Sequence, residues 1–483
     1  MGHTSKMFLI AGAALSLAGT AMAAESTDTS RAYNNELTAD AAGRTSLAAP
    51  KASNGLTITD GSGNFSMRIG GLIQFRYTAD FRSGGVNDTD LPTPSPATGG
   101  GVTGQDKATI GFSLPRTQIY FAGMAGSPEL TYYIQGNFSS VSTNGTANGS
   151  NVSAANPTGY TSNNGSFVLE DAYIKYAFDN NWDVRFGQFK LPILYEDLIG
   201  DGYQQSIDRS FVTDVYRQQR SQGIQVGYTA DTFRVLGAFS DGWRSANTDY
   251  NNPNESDYAV TLRIDGKFAG DWNQWNQFSS WQNSQFAAFL GGAVNWQQGG
   301  KTGTPGDAQV NLNQANYLLW TIDGQVKGNG WNLYGAFIGS NARALSTAAG
   351  PSASLNSYGW QIQGGWFATQ QIEIFGRYDG LYANNSLGNA QGAGGVSPRC
   401  WNFIDFGVNY YLFPESQTAK ISADCVIGLN KSQNLQAINF QGVAGTGQFV
   451  PGSTVAAPNT NAGVLGSPNA GEVAIRAQFQ LLF

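Results

Sequence analysis

Cationic side chains that could bind an oxyanion occur in two parts of the chain. One group falls within residues 190–221, and the other falls on early stretches of alternating sequence. The seven candidates are Lys190, Arg209, Arg217, Arg220, Arg68, Arg76 and Arg116. A guanidinium group presents paired, coplanar donors that match the oxygens of a phosphate or carboxylate. A few such groups held clear of carboxylates would therefore coordinate an anion.

Acidic residues close to these bases leave a second interpretation open. Within residues 190–221, four bases face five acids, so the segment has a net charge of −1 (4 − 5). The five acids are Glu196, Asp197, Asp201, Asp208 and Asp214. The arginines either form a local cationic path or pair with neighbouring carboxylates and brace the structure around them.

The histidine and cysteine content excludes most catalytic sites. The only histidine is His3, which falls inside the export signal described next, so the mature chain has no Ser-His-Asp triad, Cys-His pair or HExxH zinc site. If residues 414–418 form a turn, Cys425 lies opposite residues near Phe406 and Cys400 lies roughly 20 Å farther along the hairpin, too far for a disulfide. We predict two unpaired cysteines and no enzyme, metal site or cofactor.

The N-terminus has the features of an export signal. Lys6 precedes an apolar run over residues 7–18, and Ala21-Met22-Ala23 supplies the small-x-small pattern that signal peptidase cuts. We predict a signal peptide over residues 1–23, with a single-pass anchor as the alternative. Residues 24–64 are polar and rich in Ala, Ser and Thr, and they predict a leader that is disordered or loosely packed.

Alternation with a period of two recurs from residue 65 to the C-terminus. In the first stretch the apolar side chains stand at odd positions, among them Ile73 and Phe75, and the arginines Arg68 and Arg76 stand at even ones. The last eleven residues alternate in the same way and end in Phe483, as outer-membrane barrels usually do. A soluble β-sandwich, whose strands also alternate, is the alternative.

The number of alternating stretches and the composition predict an all-β fold. About sixteen stretches, 62 glycines, 12% aromatic and 13% charged residues fit one transmembrane antiparallel β-barrel over residues 65–483. Phe483 would be its assembly signal, read by the barrel assembly machinery, and outer-membrane lipid would surround it. The net charge of −7 becomes −8 once Lys6 is removed with the signal, which argues against nucleic-acid binding.

Two predicted connections between strands are unusual in their apolar and aromatic residues. The predicted third external loop, residues 190–221, carries apolar side chains such as Leu191, Ile193 and Phe211 that must pack against something, and the barrel wall is nearest. We predict that this loop folds inward and constricts the lumen.

Residues 270–284 form a long link where a short one is expected, and their aromatic residues predict interfacial anchors, with a ligand platform as the alternative. These are Trp272, Trp275, Phe278 and Trp281.

Several stretches between residues 110 and 240 resemble a known family. They read PRTQIYFAG (115–123), LEDAYIKYAF (169–178), VRFGQFKLPILYEDL (184–198), DRSFV (208–212) and GIQVGY (223–228). They are similar to the phosphate-selective porins O and P of Gram-negative outer membranes. The resemblance implies a homotrimer of sixteen-stranded channels in which the third loop narrows the pore and arginines and lysines guide anions.

The sequence thus predicts an outer-membrane porin. It would form a passive aqueous channel for small hydrophilic solutes, with a preference for anions or phosphate. The alternative is a structural barrel that anchors or presents its long external loops to a surface layer or a partner. An open, conducting lumen would distinguish the first function from the second.

Overall fold

The computed structural model describes most of the predicted barrel. The described residues are 56–61, 63–82, 108–138, 167–243, 245–250, 256–299, 316–343, 354–383, 400–431, 464, 467 and 469–483. The predicted signal peptide and most of the predicted leader lie outside them. Within these ranges no helix has the length and hydropathy needed to cross a bilayer.

Sixteen strands close into one antiparallel barrel, as the alternation predicts. Each of these strands pairs with the next along the chain, and the last pairs with the first to complete the ring. The strands are β2 (Phe65–Phe81), β3 (Ala108–Ala125), β4 (Ser127–Asn137), β5 (Val168–Ala177), β6 (Trp182–Lys190), β7 (Arg220–Thr229), β8 (Phe233–Ser240), β9 (Tyr258–Ala269), β10 (Ala287–Gln298), β11 (Asn316–Gly328), β12 (Trp331–Arg343), β13 (Ser354–Phe367), β14 (Ile372–Ala383), β15 (Cys400–Tyr411), β16 (Ala419–Gly428) and β17 (Glu472–Leu482).

Successive side chains of a strand point to opposite faces, so the barrel has an apolar outside and a polar inside. On β2, Phe75 is 48% exposed and its neighbour Arg76 is 2% exposed. The same contrast separates Ile475 from Arg476 on β17. The exposed surface of these strands is largely Phe, Ile, Leu, Val, Tyr and Trp, and this apolar surface suits contact with lipid.

The connections differ in length at the two ends of the barrel. At one end, here called the short-turn end, the strands are joined by brief links such as residues 178–181, 230–232 and 329–330. At the other, the long-loop end, the connections include residues 191–219 and 429–471. The β9–β10 connection, residues 270–286, belongs to the short-turn end although it is long.

The seam between the two ends of the chain is closed by β17 and by a short first strand, β1 (Leu56–Thr59). The backbone N–H of Phe483 donates to Gly71 at 3.0 Å, and the N–H of Gly71 donates back to Phe483 at 2.7 Å. Toward the short-turn end, β1 replaces β17 as the partner of β2, with Leu56 opposite Ile69 and Thr59 opposite Ser66. Residues 56–59 of the predicted leader are therefore part of the sheet.

Short helices occur only in two connections of the described chain. In residues 191–219 they are α1 (Tyr195–Leu198), a 3₁₀ turn (Asp201–Tyr203) and α2 (Phe211–Tyr216); in residues 270–286 there is α3 (Trp272–Trp275). Asp271 begins α3 with a capping box to Gln274. The hydroxyl of Ser210 caps α2 by accepting from the N–H of Thr213.

The prediction of interfacial anchors is wrong for two of the four aromatic residues in the β9–β10 connection. Trp275 and Phe278 are only 3% and 1% exposed. Their rings pack edge-on against Tyr195, with centroid distances of 4.8 and 5.3 Å. Residues that face other protein groups in this way cannot anchor the barrel at a lipid headgroup.

Candidate functional site

The connection between β6 and β7, residues 191–219, is called here the third-loop segment. It is shorter than the predicted constriction loop because Lys190 belongs to β6, and Arg220 and Ser221 belong to β7. Nearly all of its residues are buried. Its bonds run to inner-face side chains of strands on the far side of the barrel, as the following contacts show.

The apolar residues of this segment pack on the barrel wall. The ring of Phe211 lies 5.0 Å from that of Phe403 on β15, measured between centroids. On β13, a Cβ added to Gly359 would lie 2.6 Å from Val212 and 2.7 Å from Tyr216. Residue 359 must therefore lack a side chain for α2 to rest against the wall.

Asp208 of the third-loop segment joins three arginines of the wall. Its carboxylate accepts from Arg76 on β2 at 2.6 and 3.0 Å, from Arg116 on β3 at 3.0 Å and from Arg476 on β17 at 3.0 Å. Burial raises the pKa of Asp208, but the three guanidinium groups outweigh burial and hold the pKa below its ordinary value. The segment is thus tied to the barrel seam by charge.

Backbone carbonyls of the same segment bind wall side chains farther round the barrel. Lys420 on β16 donates to the carbonyl of Gln204 at 2.7 Å, and Gln480 on β17 donates to that of Gly202 at 2.8 Å. On β14, Arg377 donates to the carbonyl of Asp208 at 2.9 Å. These bonds satisfy the polar backbone of a buried, irregular segment.

A narrow cavity opens between the third-loop segment and the wall of β3 to β7. Its lining contains five cationic and three acidic side chains, an excess of two positive charges (5 − 3). The lining residues are Arg116, Gln118, Asn137, Glu170, Lys190, Asp197, Asp201, Arg209, Arg217, Gln219 and Arg220.

Five of the seven cationic candidates meet in this cavity, and two do not. Lys190, Arg209, Arg217, Arg220 and Arg116 line it. Of the other two, Arg76 is bound to Asp208, and the guanidinium carbon of Arg68 lies 6.0 Å from the ring centre of Tyr120.

The cavity cations on the loop side are held by nearby acceptors. Arg209 forms a short ion pair with Asp201 and lies 3.6 Å from Asp197, and the ammonium group of Lys190 donates to the carbonyl of Asp197 at 2.7 Å. Burial raises the pKa of Asp201, but the charges of Arg209 and Arg116 lower it well below its ordinary value. Asp201 is therefore ionised, and it offsets part of the positive charge.

Arg217 and Arg220, on either side of the loop end, complete the cationic lining. Arg217 pairs with Asp214 at 3.1 Å, and Arg220 pairs with Asp171 at 2.8 Å and with Glu170 at 3.3 Å. Between them, Gln219 adopts a left-handed backbone with a φ of 59°. This conformation is costly for a residue other than glycine, and it lets the chain turn from the loop into β7.

A β-bulge brings Glu170 into the cavity. Asp171 is paired with Gln135 and Leu169 with Gly136, so Glu170 is the extra residue on β5. As a result Glu170 and Asp171, although consecutive, are both buried. Strict alternation places them on opposite faces, which is why sequence reasoning missed Glu170.

A second bulge positions Arg116. The pairing of β2 with β3 shifts between Gln74 and Arg76, and Leu114 and Pro115 lie in the irregular part of β3. A proline cannot donate a ladder hydrogen bond and is tolerated at such a site. Arg116 then points inward and reaches both Asp201, at 3.2 Å, and Asp208, at 3.0 Å.

A row of aromatic rings and one arginine lies next to the cavity on the inner face of β3 to β6. Tyr133 stacks between Tyr120 and Tyr173, with centroids 5.8 and 5.5 Å away. The guanidinium of Arg185 lies 4.3 Å from the ring centre of Tyr173 and 5.3 Å from that of Phe189. Arg185 is 1% exposed, and its Nε and Nη2 atoms have no hydrogen-bond partner among the described residues. Sequence reasoning did not single out this residue.

Comparison with solved structures supports the fold. The outer-membrane channel DcaP of Acinetobacter baumannii is similar at a TM-score of 0.50 and 10% identity, over 88% of this chain and 99% of that chain. OmpT of Vibrio cholerae (TM-score 0.47, 10% identity, 88% and 100% covered) and the anion-selective porin from Comamonas acidovorans (0.47, 10%, 87% and 100%) are also similar. No curated protein matches the sequence.

Comparison with protein families identifies the chain more directly. The family described as "Phosphate-selective porin O and P" matches residues 100–427, which is more than half of the sequence. The matched range contains β3 to β15, the whole third-loop segment and all residues that line the cavity. The chain therefore belongs to the phosphate-selective porin O and P family of the Gram-negative outer membrane.

Proposed function

We propose that the chain is a passive outer-membrane channel whose narrow part prefers anions. The observation that carries this proposal is the cavity beside the third-loop segment, whose lining side chains include five cations and three carboxylates. In a confined space with protein walls, an excess of cationic side chains raises the local concentration of anions and repels cations.

The balance of charges along the segment hides this excess. The segment is acidic overall, but Asp208 does not line the cavity, and it divides its charge between Arg116, which lines the cavity, and Arg76 and Arg476, which do not. Glu196 does not line the cavity either, and it accepts from the N–H and hydroxyl of Ser210 at 2.9 and 2.6 Å. Glu196 therefore does not offset the lining cations, and Asp208 offsets them only in part, through Arg116.

Arg185 adds a buried positive charge to the wall beside the cavity. Its guanidinium is stacked on aromatic rings, and two of its in-plane donors are unused within the described residues. The charge of Arg185 adds to a field that favours anions along β5 and β6.

The export, domain organisation and assembly of this channel are proposed from the family and the sequence. We place residues 1–23 as a signal peptide, residues 24–64 as a leader that contains β1, and residues 191–219 as the constriction. A homotrimer assembled by the barrel assembly machinery, with small hydrophilic solutes passing through each barrel and no enzymatic activity, fits the family. A structural barrel that presents its external loops is the second candidate, and it differs in conducting no ions.

The test is conductance in planar lipid bilayers. Purified protein should form ion-conducting steps, and the reversal potential in a potassium chloride gradient should have the sign of an anion-selective pore. Added phosphate should reduce the chloride current if the cavity binds oxyanions. Cation selectivity would reject the anion preference, and an absence of conductance would favour the structural barrel.

A further inference from the structure

Two segments enter the barrel from opposite ends and meet. The third-loop segment starts from the long-loop end, and residues 270–286, here called the β9–β10 segment, start from the short-turn end. The hydroxyl of Tyr195 in the first donates to the carbonyl of Trp275 in the second at 2.7 Å. With Tyr203, Phe278 and Tyr334, these residues belong to one buried apolar cluster.

A single carboxylate on the wall bonds to both segments. Glu373 on β14 is fully buried, and its Oε1 atom accepts from Gln205 of the third-loop segment at 2.7 Å. Its Oε2 atom accepts from Ser279 of the β9–β10 segment at 3.0 Å, from Tyr411 at 2.6 Å and from Asn409 at 3.1 Å. Both oxygens are thus used, one toward each segment.

Two buried lysines hold the backbones of the same segments. Lys327 on β11 donates to the carbonyls of Gln274, at 2.5 Å, and of Gln277. Lys420 on β16 donates to the carbonyl of Gln204. Each segment is thus held to the wall by a lysine as well as by Glu373.

We propose that Glu373 is a positioning residue that locks the two segments together. Locked in this way, they fill the part of the lumen beside β11 to β16, and solutes are confined to the side of the lumen beside β3 to β7. This inference rests on the proposed channel function but concerns the route through the barrel rather than the preferred ion. Loss of the lock would open a second, less selective route.

Glu373→Gln is the most specific test of the lock, because glutamine has nearly the same size as glutamate. Glutamine has one acceptor oxygen and an amide group that donates, so it cannot accept from Gln205 and Ser279 with both of its terminal atoms. One segment would lose one of its bonds to the wall, and a buried donor would be left unsatisfied. The barrel strands themselves keep all their backbone pairing.

The experiment measures single-channel conductance and reversal potential for Glu373→Gln, Ser279→Ala and wild type. We expect Glu373→Gln to raise the conductance and lower the anion preference, and Ser279→Ala to change both in the same direction by less. The matched control is Asp183→Asn, which removes another buried inner-face carboxylate, one that pairs with Lys175. Its loss of negative charge should leave the conductance unchanged and should not lower the anion preference.

The outcomes separate this inference from the proposed function. Wild-type conductance in correctly folded Glu373→Gln and Ser279→Ala barrels overturns the lock, whatever the ion preference of the wild type. A rise in conductance supports the lock even if the wild type shows no preference for anions. If Glu373→Gln fails to assemble, Ser279→Ala decides, because it removes only one hydroxyl and leaves the charge of Glu373 in place.

Discussion

Arg76 on the first barrel strand and Asp208 in the third-loop segment form a two-pronged ion pair, with N–O distances of 2.6 and 3.0 Å. Both groups are buried, and the carboxylate also accepts from Arg116 and Arg476. One loop carboxylate thus neutralises part of the charge of three wall arginines. Asp208 thus connects the loop to three wall strands, β2, β3 and β17.

Replacing Asp208 by Asn should weaken the folded barrel by about 3 to 5 kcal/mol, because buried guanidinium groups are left without their counter-charge. The measurement is the shift in the thermal unfolding temperature, monitored by the difference in gel mobility between the folded and the unfolded barrel. Asp231→Asn, at an exposed turn, is the control and should change stability by about 0.5 kcal/mol or less. Equal effects of the two substitutions would contradict the role given to Asp208.

The lowered pKa of Asp208 predicts a pH dependence of known sign. A carboxyl whose pKa is lower in the folded than in the unfolded state stabilises the fold above the unfolded pKa, which is about 3.9. That stabilisation is lost as the pH falls toward the lower folded value. The stability difference between wild type and Asp208→Asn should therefore be constant near neutral pH and shrink below about pH 4. A difference that shrinks on the alkaline side instead would contradict this assignment.

Arg217→Gln should move the reversal potential toward cations. The substitution lowers the excess charge of the cavity from two to one (2 − 1). One unit charge at about 4 Å is worth about 1 kcal/mol in water, or roughly fivefold in relative permeability. Lys267→Gln, which removes a cation that lies over Trp272 at the short-turn end, is the control and should shift the potential less. A larger conductance with unchanged selectivity would instead indicate that the loop has loosened.

Gly359→Ala should displace α2 because the added methyl group would overlap Val212 and Tyr216. Overpacking of this kind costs about 1 to 3 kcal/mol. Gly335→Ala on β12 is a suitable control, since its nearest heavy atom would be a carbonyl oxygen at 3.7 Å. Thermal unfolding of both variants checks the expectation, which fails if Gly359→Ala is as stable as Gly335→Ala.

Phe483→Ala should reduce assembly into the outer membrane far more than it reduces synthesis. The backbone of Phe483 pairs with Gly71, and its side chain is partly exposed on the outside of the barrel. Fractionation of cells that express equal amounts of the variant and wild type gives the measurement. Substitution of Phe413, an exposed aromatic residue of the β15–β16 turn, should leave assembly intact. Normal assembly of Phe483→Ala would show that Phe483 is not the assembly signal.

The barrel strands were predictable because each follows a simple periodic rule. Hydrophobic alternation located all sixteen, and it placed Cys425 opposite residues near Phe406; in the pairing of β15 with β16, its partner is Phe406. Both cysteines are free, as predicted. The family was likewise predictable from its local motifs.

The composition of the candidate site was only partly predictable. The basic residues of the loop could be identified from the sequence. Glu170 could not, because it enters the cavity through a β-bulge, and the alternating pattern of a strand does not predict an inserted residue. Which carboxylate neutralises which base depends on contacts between residues far apart in sequence, such as Arg476 with Asp208. The inward position of Trp275 is of the same kind, because its partner Tyr195 lies in another connection.

The pairing of β1 with β2 limits how the barrel can close. β17 occupies the edge of β2 down to Gly71, and the next positions, from Ile69 to Ser66, are already taken by β1. A slip of β17 toward the short-turn end would need to displace these pairs, so β1 acts as a mechanical stop. The shear of a barrel follows from the register of its closing strands. Four residues near the N-terminus thereby help to set the diameter of the whole pore.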